Sequence, residues 1–260
     1  MRLKDKEAII TGGGTGIGKA IALAFFNEGA AVVLASRNLS NLEEVASEIK
    51  AKGGKATAIK TDVADESQVQ KMVEQTLSEY GRVDILVNNS AVTTSGIAYL
   101  VDLKLEDWNQ TLAVNLTGVM LCSREVLKDM IPRRSGSIIN MSSLSGKQGM
   151  VSRSPYTTSK WGINGFTQTL SMEAGKHNIR VNAIAPGPVE GEAAENGIRG
   201  MAKRRGIPYQ ELVNQMASRA SLGRFVTPDE VARLAVFLAS DESSGITGQT
   251  ISVDGGRTSL

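Results

Sequence analysis

Residues 7–18 read Glu7-Ala8-Ile9-Ile10-Thr11-Gly12-Gly13-Gly14-Thr15-Gly16-Ile17-Gly18. A short apolar run that ends in glycines reads as a buried strand, Glu7 to Ile10. Ile17, Ile21, Ala24 and Phe25 then recur at helical spacing until Gly29. Glycines permit a tight turn with exposed backbone N–H groups, and the helix that follows adds the positive end of its dipole, so the turn suits a phosphate. Its spacing, Gly12-x-x-x-Gly16-x-Gly18, departs from the G-x-G-x-x-G form. Gly13 to Gly18 with Lys19 and Ala20 nearly spells the phosphate loop of nucleotide hydrolases. Ala20 offers no hydroxyl to magnesium, however, and the strand Ile85-Leu86-Val87 ends in Asn88 rather than a metal-binding Asp.

Outward from this unit, strand and helix signals alternate. Strands are predicted at Ala31 to Ala35, Ala56 to Lys60, Val83 to Val87, Ser137 to Met141, Arg180 to Ala185 and Gln249 to Val253. Between them, Ser40 with Glu43 predicts a capping box for one helix and Asp65 with Gln68 the start of another. Thr227-Pro228-Asp229-Glu230 predicts the start of a helix reaching Ala239. A long helix is expected from about Leu105 to Met130, and a further one from Pro155 to Lys176. This order implies an α/β fold: a single Rossmann-type, doubly wound parallel sheet with helices on both faces. Ligands then bind beyond the carboxyl ends of the strands. The glycine turn, Asn88-Asn89, Met141-Ser142-Ser143 and Pro186-Gly187 all follow strand ends and converge on that edge.

Composition narrows the function classes. The chain has 260 residues, 41% apolar and 22% charged, with a net charge of +2. No linker or repeat divides it, so residues 1–260 are expected to form one domain. The charge is too small and dispersed to argue for nucleic acid, and no segment approaches the roughly eighteen apolar residues of a membrane span. The N-terminus lacks the long apolar core of a signal peptide, and a cytoplasmic enzyme is expected. Cys122 is the single cysteine and falls in an apolar run, which reads as a buried structural thiol. His177, the single histidine, has no second nitrogen or sulfur ligand nearby, so no metal site is expected.

Tyr156 and Lys160 stand four residues apart, on one face of a helix. An ammonium near a phenol favours its ionised form, and a phenol so tuned can exchange a proton with a carbonyl or alcohol oxygen. After the second strand, about twenty residues beyond the glycines, an acidic residue would hold a free ribose hydroxyl. This chain has Ser36-Arg37 there. A guanidinium suits a phosphate, so NADP(H) is favoured, with NAD(H) possible; Thr15 adds no second positive charge.

Through Thr11-Gly12-x-x-x-Gly16-x-Gly18, Asn88-Asn89, Asn115, Ser143, Tyr156-x-x-x-Lys160, Pro186-Gly187 and Asp254-Gly255-Gly256, the chain resembles the short-chain dehydrogenase/reductase family over essentially its whole length, and is 3-oxoacyl-carrier-protein-reductase-like within it. The resemblance implies a catalytic tetrad of Asn115, Ser143, Tyr156 and Lys160. It implies cofactor contacts from Gly12, Thr15, Gly16, Ile17, Gly18, Ser36, Arg37, Asp62, Val63, Asn89, Ser90, Ala91, Tyr156, Lys160, Pro186, Gly187 and Val189. Lys160 would also bind the nicotinamide ribose, and the Asn115 position would hold a water that returns the proton. Two departures stand out: Asn-Asn-Ser-Ala replaces the family's usual Asn-Asn-Ala-Gly, and Gly191 replaces a threonine.

The resemblance further implies a homotetramer and a small-molecule carbonyl or alcohol substrate. Residues 190–219, with Arg199, Lys203, Arg204 and Arg205, are expected to form a partly helical lid. Ser145, Gln148, Val151 and Arg153 are further pocket candidates. The leading expectation is an oxidoreductase transferring hydride between NADP(H) and a carbonyl or secondary alcohol. An NAD-dependent dehydrogenase of a sugar, cyclic diol or hydroxy acid, and a non-catalytic dinucleotide-binding regulator, are the alternatives.

Overall fold

The computed structural model describes residues 1–93 and 96–257. Seven strands, β1 (Glu7–Thr11), β2 (Ala31–Ser36), β3 (Ala56–Lys60), β4 (Ile85–Asn88), β5 (Gly136–Met141), β6 (Ile179–Pro186) and β7 (Thr250–Val253), form one sheet in the order β3-β2-β1-β4-β5-β6-β7. Every pairing is parallel. The order reverses between β1 and β4, which opens a crevice above their carboxyl ends. The doubly wound expectation holds, with strand bounds shifted by a residue or two.

Alternation along the strands sorts the core into two layers. Ile10, Val32 and Leu34 pack against Ile21, Phe25, Leu42, Ile49, Val231 and Ala235 on α1 (Gly16–Asn27), α2 (Leu39–Ala51) and α9 (Pro228–Ala239). Ile9, Val33, Leu86 and Ile138 pack against Met72, Leu121, Val126 and Leu170 on α3 (Glu66–Tyr80), α5 (Gly118–Arg133) and α6 (Ser154–Gly175). Phe25, Ile10, Leu34 and Leu86 are fully buried, each stabilising the fold by roughly 1.5–3 kcal/mol.

The helix starts show where local patterns decide. Thr227 and Glu230 form the expected capping box: the Glu230 N–H donates to Thr227 Oγ1 at 3.2 Å and the Thr227 N–H to Glu230 Oε2 at 2.8 Å. Asp65 caps α3 as expected, accepting from the N–H groups of Ser67 and Gln68. The start of α2 differs from expectation. Its cap is Asn38, whose Oδ1 accepts from the Asn41 N–H and from the Ser40 hydroxyl, so Ser40 lies inside the first turn rather than at the cap.

The long helix predicted over Leu105 to Met130 is instead interrupted. It comprises α4 (Leu105–Leu112), a π-helical turn over Ala113–Thr117, and α5. The cause is tertiary: Asn115 Oδ1 accepts from the Val92 N–H at 2.7 Å and its Nδ2 donates to Val92 O at 3.0 Å, an amide clamp on the segment leaving β4. A π turn swings one residue out of helical register to make that clamp. Two shorter helices, α7 (Glu192–Arg205) and α8 (Tyr209–Ala217), lie in the predicted lid segment and share a small cluster of Ile198, Ala202 and Leu212.

Candidate active site

The glycine turn is shaped as a cradle. Gly12 (φ +67°) and Gly16 (φ +51°) occupy the left-handed region. At Gly18 an added Cβ would lie 2.0 Å from Gly12 O, so α1 reaches the turn only because that residue has no side chain. Thr15 stands at the cap of α1, yet its hydroxyl makes no capping bond and the first turn holds no acid. The leading N–H groups of α1 are therefore free of side-chain acceptors and suit an anion. This donor set fits the pyrophosphate of a dinucleotide.

The neighbouring loops are tied to the same turn. Thr11 Oγ1 accepts from the N–H groups of Asn89 and Ser90 at 3.0 and 3.1 Å. Asn89 Nδ2 donates to Thr11 O and Gly12 O, both at 3.1 Å. The Asn89 side chain thus fixes the turn, and Ser90 packs its backbone where a Gly12 Cβ would sit. Ala91 is exposed beside it. Asp62 Oδ1 accepts from the Ala64 N–H at 3.0 Å, while Val63 is buried against Gly118. At the end of β2 the Ser36 hydroxyl bonds to Asn38 O. Arg37 is exposed and in no ion pair among the described residues.

Beyond β5 and α6 the proposed catalytic groups meet. Ser143 follows β5 with extended backbone, and its Oγ accepts from the Ser145 N–H at 3.1 Å. The Tyr156 phenol is raised above its ordinary value by burial, while a hydrogen bond with Ser143 and the charge of Arg153 act downward. Lys160 is buried, its Nζ 5.6 Å from the Tyr156 ring centroid and donating to Met141 O at 2.7 Å. Burial pulls that ammonium from 10.5 to about 8. The expected lysine-to-phenol electrostatics is therefore not the main influence. Desolvation dominates, and Arg153, whose Cζ lies 5.8 Å from the ring centroid, adds a second cation beside the phenol.

Asn115 is fully buried in the π turn and adds a bond from its Nδ2 to Ser159 Oγ at 3.3 Å. Ser159 in turn donates to Tyr156 O at 2.7 Å. Sequence reasoning missed Ser159, and also Asn164, whose Nδ2 holds Gly146 O at 2.8 Å. A Cβ on Gly146 would meet Ser142 Oγ at 2.5 Å and Lys160 O at 2.8 Å, so the serine turn is pressed directly onto α6. Asn164 lies four residues beyond Lys160 on the same helix, and that spacing was the available signal.

On the far side, Gly187 donates from its N–H to Val253 O at 2.9 Å, and Val189 bridges to Val226. Pro186 ends β6 at the same edge. Gly191 has φ +132°, a backbone setting that favours glycine over the threonine expected by resemblance. Cys122 is buried, its thiol pushed up to about 12, which leaves it inert. His177 is half-buried in the turn between α6 and β6. Among the described residues no cluster of metal-ligating side chains occurs, and no helix is long and apolar enough to cross a membrane.

A family model described as enoyl-(acyl carrier protein) reductase matches residues 12–258. A 3-oxoacyl-(acyl-carrier-protein) reductase of Thermotoga maritima is 41% identical over 98% of this chain and 99% of its own length. Among solved structures, NAD+-bound xylitol dehydrogenase is similar with a TM-score of 0.94 and 30% identity, over 98% of this chain and 100% of that one. An actinorhodin polyketide ketoreductase with NADPH is similar at 0.93 and 33% identity, over 98% of each chain.

Proposed function

The chain belongs to the short-chain dehydrogenase/reductase family and is an NAD(P)-dependent oxidoreductase of alcohol and carbonyl groups; from that premise we propose that it transfers hydride between NADP(H) and a carbonyl or secondary alcohol, with Tyr156 as general acid and base. The observation that carries this reading is the meeting of Ser143, Tyr156 and Lys160 at the strand edge that also bears the glycine turn.

A bound nicotinamide dinucleotide supplies or accepts the hydride. Gly12, Thr15, Gly16, Ile17 and Gly18 would hold its pyrophosphate, Asp62 and Val63 its adenine, Asn89 to Ala91 the adenine ribose, and Pro186, Gly187 and Val189 the nicotinamide side. Lys160 would hold the nicotinamide ribose. In reduction Tyr156 gives its proton to the developing alkoxide, and in oxidation it accepts the alcohol proton. Ser143 donates a hydrogen bond to the same oxygen and orients it. Asn115 secures the π turn from which protons return to solvent. Residues 190–219 act as a lid that excludes water, α7 and α8 moving about Gly191 and Gly206.

Arg37 supports NADP(H), since its guanidinium is free for a ribose phosphate. Arg37→Asp is expected to lower kcat/KM with NADPH by about tenfold or more, the loss of a charge-assisted contact worth roughly 1.5–3 kcal/mol, and to raise it with NADH. An unchanged preference, followed by absorbance of reduced nicotinamide across ketones, sugars, acyl thioesters and cyclic diols, removes the assignment. The likeness to NAD+-bound xylitol dehydrogenase supports the second reading, an NAD-dependent dehydrogenase of a sugar, cyclic diol or hydroxy acid.

A homotetramer in the cytoplasm completes the proposal. A groove of about 510 Å³ on the α5 and α6 face is lined by Met120, Leu127, Ile131, Phe166 and Leu170, away from the catalytic edge. On the same α6, Trp161 and Met172 are 52% and 82% exposed. A second copy of this chain would cover such a surface. Sedimentation equilibrium is expected to give four times the 27.6 kDa chain mass, and Trp161→Glu with Phe166→Glu to give smaller species. Monomer alone in the wild type contradicts it.

A further inference from the structure

Arg153 stands beside the Tyr156 ring without an acidic partner among the described residues. It occupies the cap position of α6, three residues before Tyr156, and its side chain makes no capping bond. The guanidinium is half-buried, stacks toward the Tyr156 ring and donates from Nη1 to Thr93 O. It enters no ion pair among the described residues. The charges bearing on it are those of Tyr156 and of Arg204, the latter repulsive. A distance of 5.8 Å from the ring centroid is at the outer edge of a useful cation–π contact, so stacking alone does not account for a desolvated cation there.

Arg204 comes from the last turn of α7, where Lys203 and Arg205 also lie. Cations at a helix C-terminus are favoured by the helix dipole, and this explains the run as a whole. A half-buried guanidinium beside the reacting phenol, in no ion pair among the described residues, is a receptor for an anion.

We infer that the site takes a substrate whose reacting carbonyl or alcohol carries a carboxylate a few carbons away, gripped by Arg153, a short oxo acid or its hydroxy acid. The inference rests on the oxidoreductase reading above and names its substrate class. A carboxylate hydrogen-bonded to the guanidinium at about 2.8 Å lies within a few carbon–carbon bonds of an oxygen held by Tyr156. With Nη1 engaged by Thr93, the guanidinium still offers an edge of two N–H donors, which matches the planar pair of carboxylate oxygens. A carrier-bound acyl thioester presents no charge beside its carbonyl and leaves this arginine unanswered. The exposed Met150 and Val151 precede Arg153 on the same loop and suit a short apolar tail.

The test uses matched pairs, 3-oxobutanoate with its methyl ester and 4-oxopentanoate with its methyl ester, each assayed with NADPH and NADH. The wild type is expected to prefer the acid of at least one pair by tenfold or more in kcat/KM. Arg153→Gln brings that acid-to-ester ratio to about one, and Arg153→Lys restores part of it. A wild-type preference for both esters, or a ratio untouched by Arg153→Gln, overturns the inference. Calorimetry separates it from the hydride-transfer reading. If neither member of any pair is turned over, binding of 3-hydroxybutanoate against 3-hydroxybutanamide decides it. Tighter binding of the acid in the wild type, lost in Arg153→Gln, upholds the anion site; equal binding rejects it. Thermal melts of the variants confirm folding.

Discussion

Tyr156→Phe is expected to lower kcat by a factor of about 10² to 10⁴, the range for loss of a positioned general acid, while cofactor affinity and melting temperature stay close to wild type. Only the phenolic hydroxyl disappears. The ring keeps its contacts with Arg153 and Lys160, and Ser143 keeps the Ser145 N–H. Cofactor titration by fluorescence and single-turnover reduction measure the two halves separately. A variant with more than a tenth of wild-type turnover would mean that the proton comes from elsewhere. A variant that binds cofactor and leaves the cellular role intact would favour a dinucleotide-binding regulator. Because burial holds the phenol above its usual value, oxidation, which needs the phenolate, is expected to speed up with rising alkaline pH, and reduction to slow.

Lys160→Met is expected to lose activity by about 10²-fold or more and, in the same protein, to alter how stability depends on pH. In the folded chain this ammonium releases its proton at about 8 rather than 10.5. Between those values the unfolded chain binds more protons, so wild-type stability receives a contribution that rises with pH from about 8 to 10.5; below 8 both states are protonated and the burial penalty is full. The shift corresponds to roughly 3 kcal/mol. Methionine carries no such charge, and the variant's urea midpoint should lack that rise relative to wild type. Against this stands the partner lost by Met141 O, a loss of about 1–3 kcal/mol at every pH. Midpoints compared at pH 7 and 10 separate the two effects. Parallel pH profiles would show that Lys160 is not desolvated.

The sheet, its winding and the edge where ligands gather were legible because they follow from alternating periodicities and from turn chemistry local to each strand end. Thr227 and Glu230 announced α9 for the same reason. The cap of α2 was misread by two residues because Asn38 and Ser40 are both good caps, and the choice depends on where the chain leaves β2. The π turn left no mark in the periodicity of residues 105–130, since it arises from the hold of Asn115 on Val92, distant in sequence. Tyr156 and Lys160 were placed on one face correctly, but the burial that dominates both groups was not read. Spacing reports proximity, whereas the depth of burial that pulls Lys160 down, and the approach of Arg153, belong to the tertiary structure.

The π turn also bears on how this chain tolerates change in length. It amounts to one residue added to an otherwise regular rod, and each residue advances a helix by about 100°. The turn takes up that advance, so deleting one residue of 113–117 would restore an unbroken ladder of backbone bonds with α5 in nearly its present orientation, at the cost of the swung-out position from which Asn115 holds Val92. Gly118, which fits against Val63 only because it has no Cβ, would keep its place. A change of length that would ordinarily twist a helix is thus absorbed within the helix itself, and what it would cost is the hold on Val92.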